Sequence, residues 1–191
     1  PEHVNKNEKY IISVGRPSYQ KNPLLMVETM RLIHEKHPEI KFLLVGVGYY
    51  SPMLDSMKTL IEKYHLQDVM KMISWCSHEE TLGYVSRSLF YLTTSLYEGL
   101  PIAVLEAMAL GKPIVASDVI GNKDCVKDTF NGFLLPLKAT DFADRCNELI
   151  ENSDELQLMG KQSKQYFERN FLIDNRIKDL EEIYMKVSNI K

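Results

Sequence analysis

The chain predicts an α/β fold: a three-layer α/β/α arrangement around a parallel sheet of about six strands, with further helices at its C-terminal end. Three observations carry this. Five or six short apolar runs alternate with segments of helical periodicity, which implies parallel strands with helices on both faces. Several of those runs end at glycine, as buried strands do before a turn. The glycine-containing and charged motifs fall directly after strands, at the carboxyl edge where such sheets bind ligands.

The elements follow in order. Tyr10–Val14 is an apolar run closed by Gly15, and reads as the first strand. A helix is expected from Asn22 to about His37, with Pro23 in its first turn and Leu24, Val27, Met30 and Ile33 near 3.6 periodicity. Lys41–Val45 is the next strand, closed by Gly46 and Gly48. Ser51 is placed to cap a helix running to about His65. Strand character returns at 69–75, and a short helix is expected over 78–86. Then come a strand at 89–93, a helix at 101–110, and strands at 113–117 and 132–135. From about 141 to 189 the pattern is helical throughout, with amphipathic segments at 154–169 and 174–189 whose apolar faces suit this domain or another one.

Composition excludes several classes. Of 191 residues, 45% are hydrophobic and 26% charged, ordinary for one globular domain with an appendage. The net charge is 23 − 26 = −3, which gives no electrostatic reason to expect nucleic acid or an anionic membrane. No apolar stretch is long enough to span a bilayer, and no signal peptide is visible. Cys76, Cys125 and Cys146 are far apart, without paired or metal-ligand spacing, so no metal site is expected. His3, His34, His37, His65 and His78 pair with nothing in the pattern, and structural or surface roles are expected for each. The chain opens Pro1-Glu2-His3 without methionine and reads as part of something longer, with residues 1–9 a tether, 10–173 a ligand-binding domain and 174–191 a separate terminal helix.

The chemistry concentrates between Glu98 and Glu106, eight residues apart in Glu98-Gly-Leu-Pro-Ile-Ala-Val-Leu-Glu106. A helix starting near Pro101 aims free N–H groups and its positive dipole end above the preceding strand, a ready site for phosphate. Glu98 sits on the loop before it. Glu106 lies about a turn and a half into a largely apolar helix, where a carboxylate needs a partner: ribose hydroxyls, a backbone cap or a basic neighbour would serve. Arg16 and Lys21 flank a short loop after the first strand. Arg grips phosphate with two parallel bonds and Lys supplies a mobile charge, so together they suit a diphosphate without a metal ion. Carboxylates on both sides of a phosphate site match a nucleotide sugar: sugar, diphosphate, ribose. Gly46-Val-Gly48 lacks the third glycine of a dinucleotide fingerprint and reads as a tight turn at the cleft rim.

The run from Ser95 to Asp118, followed by Gly121 and Asn131-Gly132-Phe133-Leu134, resembles the donor half of retaining glycosyltransferases of family 4, which have the GT-B architecture of two Rossmann-like domains facing across a cleft. The resemblance covers nearly the whole chain and extends to Val14-Gly15-Arg16 with Lys21. It implies that Arg16 and Lys21 hold the diphosphate, Glu98 contacts the transferred sugar and Glu106 the ribose. The N–H groups of Gly99, Leu100, Ile102 and Ala103 would face the phosphates, and the Trp75-Cys76 loop would lie near the base. The implied donor site thus comprises Arg16, Lys21, Trp75, Cys76, Ser95, Glu98, Gly99, Leu100, Pro101, Ile102, Ala103 and Glu106, with Glu98, Arg16 and Lys21 catalytic and neither cofactor nor metal.

Three positions depart from the family pattern. Asn22 stands where glycine is usual, Pro101 lacks an N–H at one phosphate-facing position, and Asp124 replaces a frequent glutamate. The resemblance implies transfer of a sugar from a nucleotide diphosphate sugar to an acceptor hydroxyl, with front-face attack, in surface polysaccharide or glycolipid synthesis. The acceptor would be a glycan or glycolipid held by an N-terminal domain, at the cytoplasmic side, with peripheral membrane contact through that domain. The final helix would cross back to it. The alternative is a non-catalytic nucleotide-sugar-binding module of the same fold. A phosphorylase using pyridoxal phosphate would need a cofactor lysine that the sequence does not place, and an epimerase would need other residues. The base, the sugar and the acceptor are left open.

Overall fold

The computed structural model describes residues 4–188 apart from Lys6 and Tyr49, with no side-chain description at 175, 176, 178 and 179. Six parallel strands, β1 (Tyr10–Val14), β2 (Lys41–Val45), β3 (Met70–Ile73), β4 (Tyr91–Thr93), β5 (Ile114–Ser117) and β6 (Gly132–Leu135), form one sheet in the order β3-β2-β1-β4-β5-β6. This is the doubly wound order, with its reversal between β1 and β4.

Alternate strand residues feed opposite cores, as a two-residue period requires. Ile11, Phe42, Leu44, Leu92, Val115 and Phe133 pack under one layer with α1 (Pro23–Lys36), α2 (Leu54–Lys63) and α6 (Ala139–Glu151). Tyr10, Ile12, Leu43, Val45, Tyr91 and Ile114 pack under the other, with α3 (His78–Arg87), α4 (Ile102–Ala109) and α7 (Ser153–Asn170). The aromatic residues Tyr166, Phe167 and Phe171 close the end of that second layer.

The ladder is weakest at the reversal. β1 and β4 share one pair, Ile12 with Tyr91, whereas β1 and β2 pair along five positions. Beyond that pair the strands diverge, and the Tyr91 hydroxyl takes over. It accepts from the Val14 N–H and donates to the Val14 carbonyl, both at 3.2 Å. A side chain thereby satisfies backbone groups that a continuing ladder would have used.

Several expectations are corrected. The Ser51 hydroxyl donates to the Gly48 carbonyl at 2.9 Å instead of capping a helix, and α2 starts three residues later behind Met53. This is the local side-chain bond by which serine competes with helix. Pro101 precedes the first turn of α4 as its cap residue. The C-terminal region starts at Ala139 with α6; the two amphipathic helices expected after it are α7 and α8 (Ile173–Ser188), and the Asn152 side chain accepts from the Glu155 N–H at the break between α6 and α7. A six-residue helix, α5 (Ile120–Cys125), lies in a stretch with no helical periodicity. The described part of the tether is packed: Val4 is buried, and Glu8 pairs with Lys71 of β3 at 2.7 Å.

Burial also sets the alkaline limit of the fold. The Tyr10 hydroxyl donates to the Tyr84 carbonyl at 2.6 Å, and burial pushes its pKa up to about 12. Burial likewise pushes the Cys125 thiol up to about 12 and raises Tyr91 and Cys146. Groups raised in the folded state stabilise it fully below their unfolded values and lose that contribution as pH rises through the folded ones. Denaturant titrations should therefore show a flat stability up to about pH 8, a fall that begins as unfolded cysteine ionises, and a steeper loss toward pH 12. Tyr10→Phe should lower stability at neutral pH by about 1 kcal/mol and flatten that alkaline fall.

Candidate functional site

The cleft over the β1/β4 reversal is built by two loops. One follows β1 and runs from Gly15 to Asn22; the other follows β4 and runs from Thr94 to Pro101. They are stitched together by hydrogen bonds to backbone carbonyls of the first loop. The Leu96 N–H donates to the Gln20 carbonyl at 2.8 Å, and the Thr94 hydroxyl donates to the carbonyls of Lys21 and Asn22, both at 3.0 Å. Asn22 adopts φ 47° and ψ 58°, in the left-handed region. That geometry explains why glycine is usual here and why asparagine, the residue type most tolerant of it after glycine, can stand in its place.

At the centre is Glu98, with a side chain 6% exposed. A charge so nearly buried must be partnered. Lys21 Nζ donates to Oε1 at 2.6 Å, the Ser95 hydroxyl donates to the same oxygen at 2.6 Å, and Gln20 Nε2 donates to Oε2 at 3.3 Å. Ser95 is itself braced from below, because the Ser117 hydroxyl donates to its carbonyl at 2.6 Å and Asn122 Nδ2 donates to the Ser117 carbonyl at 2.9 Å. The loop after β5 closes in from the other side. A Cβ at Gly121 would lie 2.0 Å from the Gly99 carbonyl and 2.7 Å from that of Glu98, so only glycine lets these backbones meet.

The resulting cleft has a volume of about 390 Å³. Of the residues expected to bind ligand, Arg16, Lys21, Glu98, Leu100, Pro101, Ile102 and Ala103 form its wall, joined by Gly46 and Tyr91. Gly46 takes φ 97°, the turn that lets the rim pass close to Gly15. Arg16 is exposed, with its guanidinium 5.8 Å from the centre of the Tyr50 ring, a cation–π contact at the mouth. Among the described residues no side chain caps α4. Its first amides, at Ile102 and Ala103, lack intrahelical acceptors and stand on the cleft wall.

Other expected residues lie around this cleft and not in its wall. Ser95 acts through its bond to Glu98, and Gly99 forms the turn against Gly121. Trp75 is 85% exposed on the loop after β3, and Cys76 Sγ lies 3.3 Å from the Thr81 hydroxyl. Glu106, one turn along α4 from Ala103, pairs with His78 Nε2 at 2.7 Å. That pair corrects the expectation that no histidine is partnered, and supplies the basic neighbour that a carboxylate on an apolar helix requires. Both carboxylates act on the cleft floor. Burial raises the Tyr91 pKa first, and the charges of Glu98 and Glu106 raise it further. Sequence reasoning missed Gln20, Tyr50, His78 and Tyr91. Each acts through a partner distant in sequence.

Among the described residues no group of three or more His, Cys, Asp or Glu side chains is placed to hold a metal ion, and no helix is long and apolar enough to cross a membrane.

The chain resembles known proteins in sequence and fold. The family model described as glycosyl transferases group 1 matches residues 1–166. A UDP-Gal:alpha-D-GlcNAc-diphosphoundecaprenol alpha-1,3-galactosyltransferase from Escherichia coli is 29% identical over 186 residues, covering 95% of this chain and 46% of that protein. The chain thus spans about half the length of such relatives. Among solved structures, a TarM variant from S. aureus in complex with UDP and alpha-GlcNAc-glycerol superposes with a TM-score of 0.84 at 22% identity, over 96% of this chain and 36% of that one. Anabaena HepE in complex with UDP and glucose superposes with a TM-score of 0.83 at 20% identity, over 94% and 49%.

The ion pair at the centre of the site yields a stability test. Lys21→Met should cost about 1–3 kcal/mol by leaving the Glu98 carboxylate underpaired, and adding Glu98→Gln should restore most of it. Chemical denaturation of the two variants measures both.

Proposed function

The chain belongs to the glycosyl transferases group 1 family, and from that premise we propose that it is the donor-binding half of a retaining glycosyltransferase. In this reading a nucleotide diphosphate sugar lies across the β1/β4 reversal. One observation carries it: two cations, a helix N-terminus and a nearly buried carboxylate converge on one cleft at the crevice where doubly wound sheets bind ligands.

Breaking the bond between sugar and diphosphate puts negative charge on the leaving group and positive character on the sugar ring. Arg16, Lys21 and the amides of Ile102 and Ala103 stabilise the first, the amides from a helix start in place before substrate arrives and Lys21 by turning from Glu98 to the phosphate. Preorganised donors of this kind lower a barrier by roughly 3–4 kcal/mol each. Glu98 positions the hydroxyls of the transferred sugar, and its bond to Lys21 holds that cation at the site until phosphate competes for it. Glu106 receives the ribose, and the Trp75-Cys76 loop lies toward the base. The acceptor hydroxyl, from a glycan or glycolipid, attacks on the face the diphosphate leaves. The apolar residues of α8 support a further part of the proposal. Leu180, Ile183, Tyr184 and Val187 are 49–65% exposed, and this helix packs against another domain of a longer protein, which brings the acceptor.

Uridine diphosphate, bound in both structural neighbours, is the first probe, with GDP and ADP beside it. A diphosphate that binds the folded state should raise Tm in proportion to the logarithm of its concentration over Kd. Arg16→Ala and Lys21→Ala should weaken binding about tenfold or more, whereas Glu98→Gln, which frees Lys21, should bind diphosphate at least as tightly as the parent chain. EDTA should leave the shift unchanged. Undiminished binding in both cation variants would overturn the reading.

A further inference from the structure

We propose that His78 is a positioning residue for nucleotide recognition, which holds the Glu106 carboxylate in the orientation that receives the ribose hydroxyls. This rests on the reading of Glu106 as the ribose ligand and adds a residue which that reading does not contain. The contact is direct: His78 Nε2 lies 2.7 Å from Glu106 Oε1, across 28 positions of sequence. Among the described residues only Oε1 of Glu106 is engaged, which leaves Oε2 to accept from a hydroxyl. A carboxylate on a short helix can swing through several rotamers, and fixing one before ligand arrives removes that cost from binding.

The imidazole is well placed to do this because its own backbone is rigid. His78 is the first residue of α3, directly behind Ser77. The Ser77 hydroxyl accepts from the Glu80 N–H at 3.1 Å, and Glu80 Oε2 accepts from the Ser77 N–H at 2.8 Å, a reciprocal cap that fixes this helix start. The Thr81 hydroxyl donates to the Ser77 carbonyl at 2.9 Å and also meets Cys76 Sγ. His78 therefore links two things: α4, which carries Glu106 one turn beyond the cleft wall, and the loop after β3, which carries Trp75. A histidine serving only to join α3 to α4 would be expected in the interface core. This side chain is 70% exposed, and Glu106 is 27% exposed, so the pair stands at the open surface beside the cleft.

The test separates orientation from mere helix packing by reading a ratio. Isothermal titration of this chain with UDP, GDP and ADP, each beside its 2′,3′-dideoxy form, measures how much the ribose hydroxyls contribute. The parent chain should prefer the ribose form about tenfold or more, the value of a hydrogen bond to a charged group. Glu106→Ala should bring that preference to about one. His78→Ala should reduce the preference about threefold or more while leaving the affinity for the dideoxy form unchanged, because that form makes no use of the Glu106 carboxylate. His78→Gln, whose amide Nε2 reaches the same place, should restore the preference. An unchanged preference in His78→Ala alongside its loss in Glu106→Ala would overturn the role of His78 alone. A preference retained in Glu106→Ala, or absent from the parent chain, would overturn the ribose reading and this inference with it.

Discussion

The architecture of the site depends on one constraint: the carboxylate of Glu98 is nearly buried and must be satisfied. Three donors from two loops do so, and in converging they fix the geometry of everything around them. Lys21 is drawn over the sheet rim, 77 positions from its partner in sequence. Ser95 is locked by a relay through Ser117 to Asn122, and Gly121 allows the third loop to close on the turn. An unpaired carboxylate at this depth is costly, and satisfying it ties the two loops to each other.

The sheet makes room for this arrangement. Where β1 and β4 part, the backbone leaves a crevice, and Tyr91 bridges it with a side-chain hydroxyl in place of a ladder bond. The cleft above holds opposite charges at short range, Arg16 and Lys21 with Glu98, and Glu106 with His78 lies outside its wall, further along α4. A ligand of alternating character fits this pattern, with an anionic centre and hydroxyl-rich ends. The pattern is also asymmetric. Glu98 has a cation as partner and lies deep, whereas Glu106 has an imidazole and stands nearer solvent.

Much of the fold was legible because its signals are local. β1, β2 and β6 were read at their observed limits, each an apolar run bounded by a turn or glycine. The start of α2 was misread because Ser51 offers its hydroxyl to a nearby carbonyl as readily as to a helix. α5 escaped because six residues, Ile-Gly-Asn-Lys-Asp-Cys, carry no period. In the site, residue types and their place after strands identified Arg16, Lys21 and Glu98, and the cleft gathers them. Their pairing was not legible, nor was that of His78 with Glu106, since neither follows from spacing along the chain. Asn22 was visible only as a departure from a pattern; its left-handed backbone supplies the reason.

The most direct measurement is a crystal structure of this chain soaked with uridine diphosphate, or with whichever nucleoside diphosphate binds. The phosphate oxygens are expected within hydrogen-bond reach of Arg16, Lys21 and the Ile102 and Ala103 amides, with the Lys21 amine shifted from Glu98 toward the ligand. Density for the diphosphate away from the β1/β4 crevice, with the Lys21–Glu98 contact undisturbed, would contradict the central claim.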